Sequence, residues 1–153
     1  VNADLLTGLL DDGYTPVVSP PMEGTESDGG VTPVNADADR AAAAVAGALG
    51  ADLVLLTDVA GVYADPDDPD TRIDSAATPD ELAAIEAAAE GFMGKKVMAA
   101  NEALSGGSGR VVVADANVRD PIVAALGGAG TTIERSALGD DDEAEAEAGG
   151  ETA

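Results

Sequence analysis

Leu53-Val54-Leu55-Leu56 runs straight into Thr57-Asp58-Val59-Ala60-Gly61-Val62-Tyr63, and that change of character decides the fold. Four consecutive apolar residues without polar alternation suit a strand covered on both faces. A helix signal lies just before it. Ala38–Leu49 is an Ala-rich run with candidate N-caps at Asn35 or Asp37 and a stop at Gly50. The same alternation continues downstream, with helices expected over Pro79–Ala89 and from Met93 to Leu104, then a strand at Arg110–Ala114. A helix over Asp120–Leu126, with Pro121 in its first turn, and a final strand at Thr131–Glu134 follow. Upstream, Val1, Leu5, Leu6, Leu9 and Leu10 take helical spacing up to Gly13. Thr15–Ser19 reads as a short strand, and Met22–Pro33 as a hairpin or loop. Strands alternating with helices give an α/β domain with a largely parallel sheet. In such sheets ligands bind beyond the carboxyl ends of the strands. The loops before Asn35, after Leu56 and after Ala114 qualify.

The composition excludes whole classes of chemistry. The 153 residues include no histidine and no cysteine, so disulfides, thiolate nucleophiles, imidazole bases and Cys/His metal sites are ruled out. With 30 acidic and 7 basic side chains the net charge is −23, which repels nucleic acid. Gly139–Ala153 holds only seven of those acids, so the excess is spread through the body. Scattered acids, scarce lysine and small apolar residues resemble proteins of salt-loving organisms, in which molar salt mutes self-repulsion. No apolar run approaches the ~20 residues of a spanning helix, and Val1–Leu10 lacks a basic start. A cytoplasmic protein without membrane contact is expected. A disordered acidic tail is expected over 136–153.

Two lysines stand out, since they are the chain's only ones and are adjacent: Lys95 and Lys96. They fall near the start of a helix, where the macrodipole disfavours positive charge. A solubilising pair offsetting Glu86 and Glu90 is the bland account. An anion site, in which ammonium groups and helix-start amides meet phosphate oxygens, is the sharper one. A second cluster is Asn35-Ala36-Asp37-Ala38-Asp39-Arg40. Capping explains one or two of its polar groups. Alternate spacing in an extended lead-in turns Asn35, Asp37 and Asp39 to one side, where a carboxylate can hold Lys96 by a charge-assisted hydrogen bond. The third is Thr57–Tyr63, whose small residues let a ligand approach the backbone and whose Tyr63 can cover a flat ring.

In their order along the chain, Val34–Ala44, Leu56–Tyr63, Met93-Gly94-Lys95-Lys96-Val97 and Gly127–Thr132 resemble the amino acid kinase family, specifically the carboxylate kinases that include acetylglutamate kinase. The resemblance reaches about Arg135. Asp37-Ala38-Asp39-Arg40, Asp65-Pro66-Asp67-Asp68-Pro69 and Lys95-Lys96-Val97 are most similar to the subgroup acting on substrates attached to LysW, an amino-group carrier protein. Acetylglutamate kinase stands close behind.

The resemblance implies a three-layer α/β/α sandwich with a mainly parallel central sheet. Residues 1–135 would form its C-terminal, nucleotide-binding part, with the N-terminal half missing. It implies transfer of the γ-phosphoryl of ATP, with Mg²⁺, to a carboxylate, giving an acyl phosphate. Lys96 then stabilises the transferring phosphoryl group, Asp39 organises the lysine, and Asn35 binds the substrate's amino-acid moiety. Thr57, Asp58, Val59, Ala60, Gly61, Val62 and Tyr63 hold the nucleotide together with Met93. No metal site made by the chain alone is implied. A homodimer or higher oligomer is implied for the complete protein. The family's first-strand lysine and its glycine-rich turns have no counterpart before Asn35, so this chain is expected to be inactive alone. A nucleotide- or amino-acid-sensing module of the same fold, without turnover, is the alternative of another class.

Overall fold

The computed structural model describes residues 1–20 and 22–139. Six strands and five helices follow in the order α1 (Ala3–Asp11), β1 (Met22–Thr25), β2 (Val31–Val34), α2 (Ala38–Leu49), β3 (Leu53–Thr57), β4 (Ser75–Ala76), α3 (Pro79–Ala88), α4 (Gly91–Ser105), β5 (Arg110–Asp115), α5 (Pro121–Leu126) and β6 (Thr131–Glu134). Short 3-10 turns occupy Pro69–Thr71 and Arg135–Leu138.

The central sheet has the order β3-β5-β6-β4. Its β3–β5 and β4–β6 pairings are parallel, and β5–β6 is antiparallel. Alternation along the strands sorts the layers. Leu53, Leu55, Val111, Val113 and Ile133 pack on one face with Ala43, Leu82, Ile85, Val97 and Leu104 from α2, α3 and α4. Val112 and Ala114 face the other way, onto Ala125 of α5, with Val54 and Leu56 beside them. This is the expected α/β/α sandwich, with a largely parallel sheet covered on both faces. Gly50 closes α2 in the left-handed conformation at φ 61°, a backbone state that costs glycine little.

Two expectations are corrected. Thr15–Ser19 forms no strand. Pro16 and Pro20 lack the N–H that a ladder needs, and Val17 stands 95% exposed with no described strand to pair with. At the other end, the boundary expected at Arg135 falls inside a 3-10 turn whose Ala137 is only 1% exposed against the core, so packed structure continues to Gly139. The rest of the expected acidic tail, 140–153, lies outside the described residues. The stretch expected as a hairpin or loop, Met22–Pro33, is an antiparallel hairpin that extends one residue further, so that Met22 opposes Val34. No helix among the described residues is long and apolar enough to cross a membrane.

Candidate active site

β3 and β5 are parallel and end together, with Thr57 opposite Asp115, so their carboxyl ends open on the same edge of the sheet. Beyond that edge lies a cleft of about 500 Å³. Its floor and wall are Thr57, Asp58, Val59, Ala60, Gly61, Val62 and Tyr63, with Pro66, Pro69 and Asp115. The start of α4 supplies the opposite side through Glu90, Phe92, Met93 and Lys96.

The loop is pinned from behind. Thr131 Oγ1 accepts a hydrogen bond from Val62 N at 2.8 Å and donates to the Ile73 carbonyl at 2.6 Å. Gly61 crosses this point at φ 148°, where a Cβ would meet Thr131 Oγ1 at 2.6 Å. A glycine is therefore required by both backbone conformation and space. The long segment after Tyr63 folds back through an isolated bridge between Tyr63 and Arg72 and through Ile73 N donating to Val62 O at 2.8 Å.

Lys96 reaches from α4 to the first turn of α2. Its Nζ lies 3.0 Å from Asp39 Oδ2 and 3.3 Å from Oδ1. The two side chains are 16% and 28% exposed, so the pair is partly withdrawn from water while Lys96 still borders the cleft. A charge-assisted bond of this length fixes the ammonium in direction as well as place.

The other residues of the two clusters separate by role. Asp37 is the cap of α2, its Oδ1 accepting from Asp39 N and Arg40 N. The expected alternation ends there, because the helix begins at Ala38 and rotates Asp39 toward α4. Asn35 is exposed and is not among the residues lining the cleft. Lys95 turns away, with Nζ 5.7 Å from the centroid of the Phe92 ring, and borders a shallow groove along α3 and α4. Neither lysine pairs with Glu86 or Glu90; Glu86 instead accepts a hydrogen bond from Asn101.

Three features escaped the sequence reading. Asp115 lines the cleft and accepts from Asn117 N at 2.7 Å; its position at a strand end was the available signal. Arg40 forms a two-pronged bond with Glu102, with Nε 2.9 Å from both carboxylate oxygens and Nη2 2.7 Å from Oε1. That hydrogen bond and charge raise the Arg40 pKa above its ordinary value. Finally, α4 begins without a side-chain cap.

The model of the amino acid kinase family matches residues 1–115. Among curated relatives, a protein named LysW-aminoadipate kinase from Deinococcus radiodurans is 44% identical over 130 residues, covering 84% of this chain and 43% of that protein. An acetylglutamate kinase from Thermus thermophilus is 47% identical over 110 residues, covering 71% of this chain and 42% of that protein. The chain thus spans less than half the length of these relatives. Among solved structures, N-acetylglutamate synthase from Neisseria gonorrhoeae, complexed with coenzyme A and L-arginine, aligns with a TM-score of 0.72 at 27% identity, over 88% of this chain and 31% of that one. Carbamate kinase from Giardia lamblia bound to AMP-PNP aligns with a TM-score of 0.65 at 26% identity, over 88% of this chain and 44% of that one. The chain belongs to the amino acid kinase family.

Proposed function

We propose that these residues form the nucleotide-holding part of a carboxylate kinase. It passes the γ-phosphoryl group of ATP to the side-chain carboxylate of an amino-group-protected aminoadipate or glutamate linked to a LysW-type carrier protein. A carboxylate oxygen forms the new bond to phosphorus as the bond to the ADP oxygen breaks, leaving an acyl phosphate. The observation that carries this reading is Lys96, held 3.0 Å from Asp39 at the rim of a strand-end cleft.

Both reactants are anions on a protein of net charge −23, so their approach is opposed unless positive charge is fixed where they meet. Lys96 supplies that charge, and the uncapped amides at the start of α4 add partial charge of the same sign. A phosphoryl transition state spreads charge over its equatorial oxygens, so a pre-oriented ammonium lowers the barrier without covalent chemistry. Asp39 keeps the ammonium pointed. Thr57–Tyr63, with Met93, holds the nucleotide, and Tyr63 covers its flat ring.

Among the described residues no three acidic side chains gather into a metal cage. Three carboxylates line the cleft, Glu90 on the α4 side and Asp58 and Asp115 at the strand ends; the latter two are a donor set suited to Mg²⁺ when phosphates and water complete its shell. When bound, Mg²⁺ neutralises phosphate charge.

The high identity to an acetylglutamate kinase supports a second acceptor, free acetylglutamate. The basic residues that would meet a carrier are few. Arg40, Arg72, Arg110 and Arg119 all pair with acids of the chain itself. We further propose that the 153 residues alone bind nucleotide without turnover, that the complete protein is a cytoplasmic enzyme of lysine or arginine synthesis working in high salt, and that it assembles as a dimer or larger.

The test is ATP-dependent acyl hydroxamate formation by the protein of the complete reading frame, with carrier-linked aminoadipate, carrier-linked glutamate and acetylglutamate side by side. Product with a carrier-linked acceptor is expected. Product with acetylglutamate alone moves the assignment to the second acceptor. No product with any carboxylate overturns the kinase reading, and full turnover by the 153-residue chain overturns its dependence on further residues.

A further inference from the structure

The contact between α2 and α4 is made of unusually short side chains. Ala43, Ala46 and Gly47 on α2 are buried, as are Ala99, Ala100 and Ala103 on α4. At the far end the backbones nearly touch, since a Cβ on Gly47 would lie 3.0 Å from Gly106 Cα. Asp39 meets Lys96 near the helix starts and Gly47 meets Gly106 near their ends, so the helices run side by side in the same direction.

Such a surface permits close approach but offers shallow ridges and grooves, which leave sliding and rotation weakly specified. Polar contacts then set the register, as single polar positions do in coiled coils. Asp39 lies eight residues from Gly47, about 12 Å along the helix, so a rotation of about 5° about the glycine contact moves Asp39 by about 1 Å. Misplacement on that scale at a reacting group can cost about 100-fold in rate.

Lys96 is poorly suited to prevent this, because its flexible stem follows the carboxylate wherever it goes. The Arg40 fork is better suited. Its guanidinium meets both Glu102 oxygens at 2.9 Å through Nε and one at 2.7 Å through Nη2; although the side chains are 60% and 36% exposed, a contact made through two nitrogens resists rotation more than a single ammonium does. Arg40 adjoins Asp39, and Glu102 lies six residues beyond Lys96, so the second pair braces the first along the axis of α4.

We infer that the Arg40–Glu102 pair is a positioning device that sets α2 against α4, so that Asp39 holds Lys96 at the cleft. This rests on the reading of Lys96 as the group facing the transferred phosphoryl.

The experiment uses the protein of the complete reading frame and measures kcat and the KM for ATP, with Lys96→Ala as the control. Arg40→Gln and Glu102→Gln are each expected to lower kcat about tenfold with KM within about twofold. Arg40→Lys, which keeps the charge and loses the fork, is expected to fall between them and the parent. The reversed pair, Arg40→Glu with Glu102→Arg, is expected to recover most of the rate, which a general loss of folding would not allow. An inactive Lys96→Ala beside an Arg40→Gln of parental kcat overturns this inference alone. Single losses that the reversed pair fails to recover overturn it too. A Lys96→Ala of parental kcat overturns the functional reading and the inference with it.

Discussion

Two consecutive helices, α3 and α4, begin in opposite ways. At the start of α3, Thr78 Oγ1 accepts from Glu81 N, and Glu81 Oε2 accepts from Ala77 N and Thr78 N at 2.8 and 3.1 Å. Asp80 and Glu81 add negative charge in the first turn, where the macrodipole favours it. At the start of α4, Glu90 makes no capping bond, the first turn has no acid, and Lys95 and Lys96 follow at once. One terminus is closed on itself; the other has no side-chain cap and opens beside a cleft. On the proposed reading, the α4 start gives up capping stability to leave its amides to a ligand, whereas the α3 start keeps it.

The largest effect that sharpens this contrast is on turnover. Asp39→Asn releases Lys96 without changing side-chain size, and in the complete protein it should lower kcat about 100-fold while the KM for ATP changes little. A proportional loss in both would make Asp39 a ground-state binding group. At α3 the same kind of change should act on folding alone. Thr78→Ala is expected to lower stability by about 1 kcal/mol in denaturant unfolding and leave nucleotide affinity unchanged. Making α4 resemble α3 is a third way to break the comparison. Glu90→Ser, at a position already extended (φ −115°, ψ 158°), should add about 0.5–1 kcal/mol of stability and weaken nucleotide binding by occupying an amide.

The smallest effect is a pH slope. Hydrogen bonds from Ala77 and Thr78 hold the Glu81 carboxyl below its ordinary value. A lowered folded-state pKa stabilises above the unfolded value of about 4.3, and that contribution is lost as pH falls through the folded value. Glu81→Gln should therefore flatten the stability profile in that acid range and leave the profile near neutrality parallel to the parent's.

How much of this was legible follows from the range of each signal. The bounds of α2 and β6 can be read from Asp37, Gly50 and the Thr131–Glu134 run, because caps and strand patterns act over a few residues. Thr15–Ser19 misleads because its β-branched residues carry no information about a pairing partner, and Pro16 outweighs them. Three residues, Asn35, Asp37 and Asp39, share one pattern in the sequence yet part ways: Asp37 caps α2, Asp39 is turned by the helix toward Lys96, and Asn35 stays exposed away from the cleft. The Arg40–Glu102 fork joins positions 62 apart and leaves no local trace. Lys96 could be singled out because lysine is absent everywhere else but at its neighbour.

That scarcity also makes the central claim directly measurable. With two lysines in 153 residues, lysine-selective isotope labelling gives one side-chain signal each for Lys95 and Lys96, assignable through Lys95→Arg. Titrating the chain with Mg²⁺ and a non-hydrolysable ATP analogue should shift the Lys96 signal saturably and leave that of Lys95 nearly in place. A saturable shift at Lys95 alone, or nucleotide binding with both signals unmoved, would contradict the assignment of the α4 start to the phosphate end of the nucleotide.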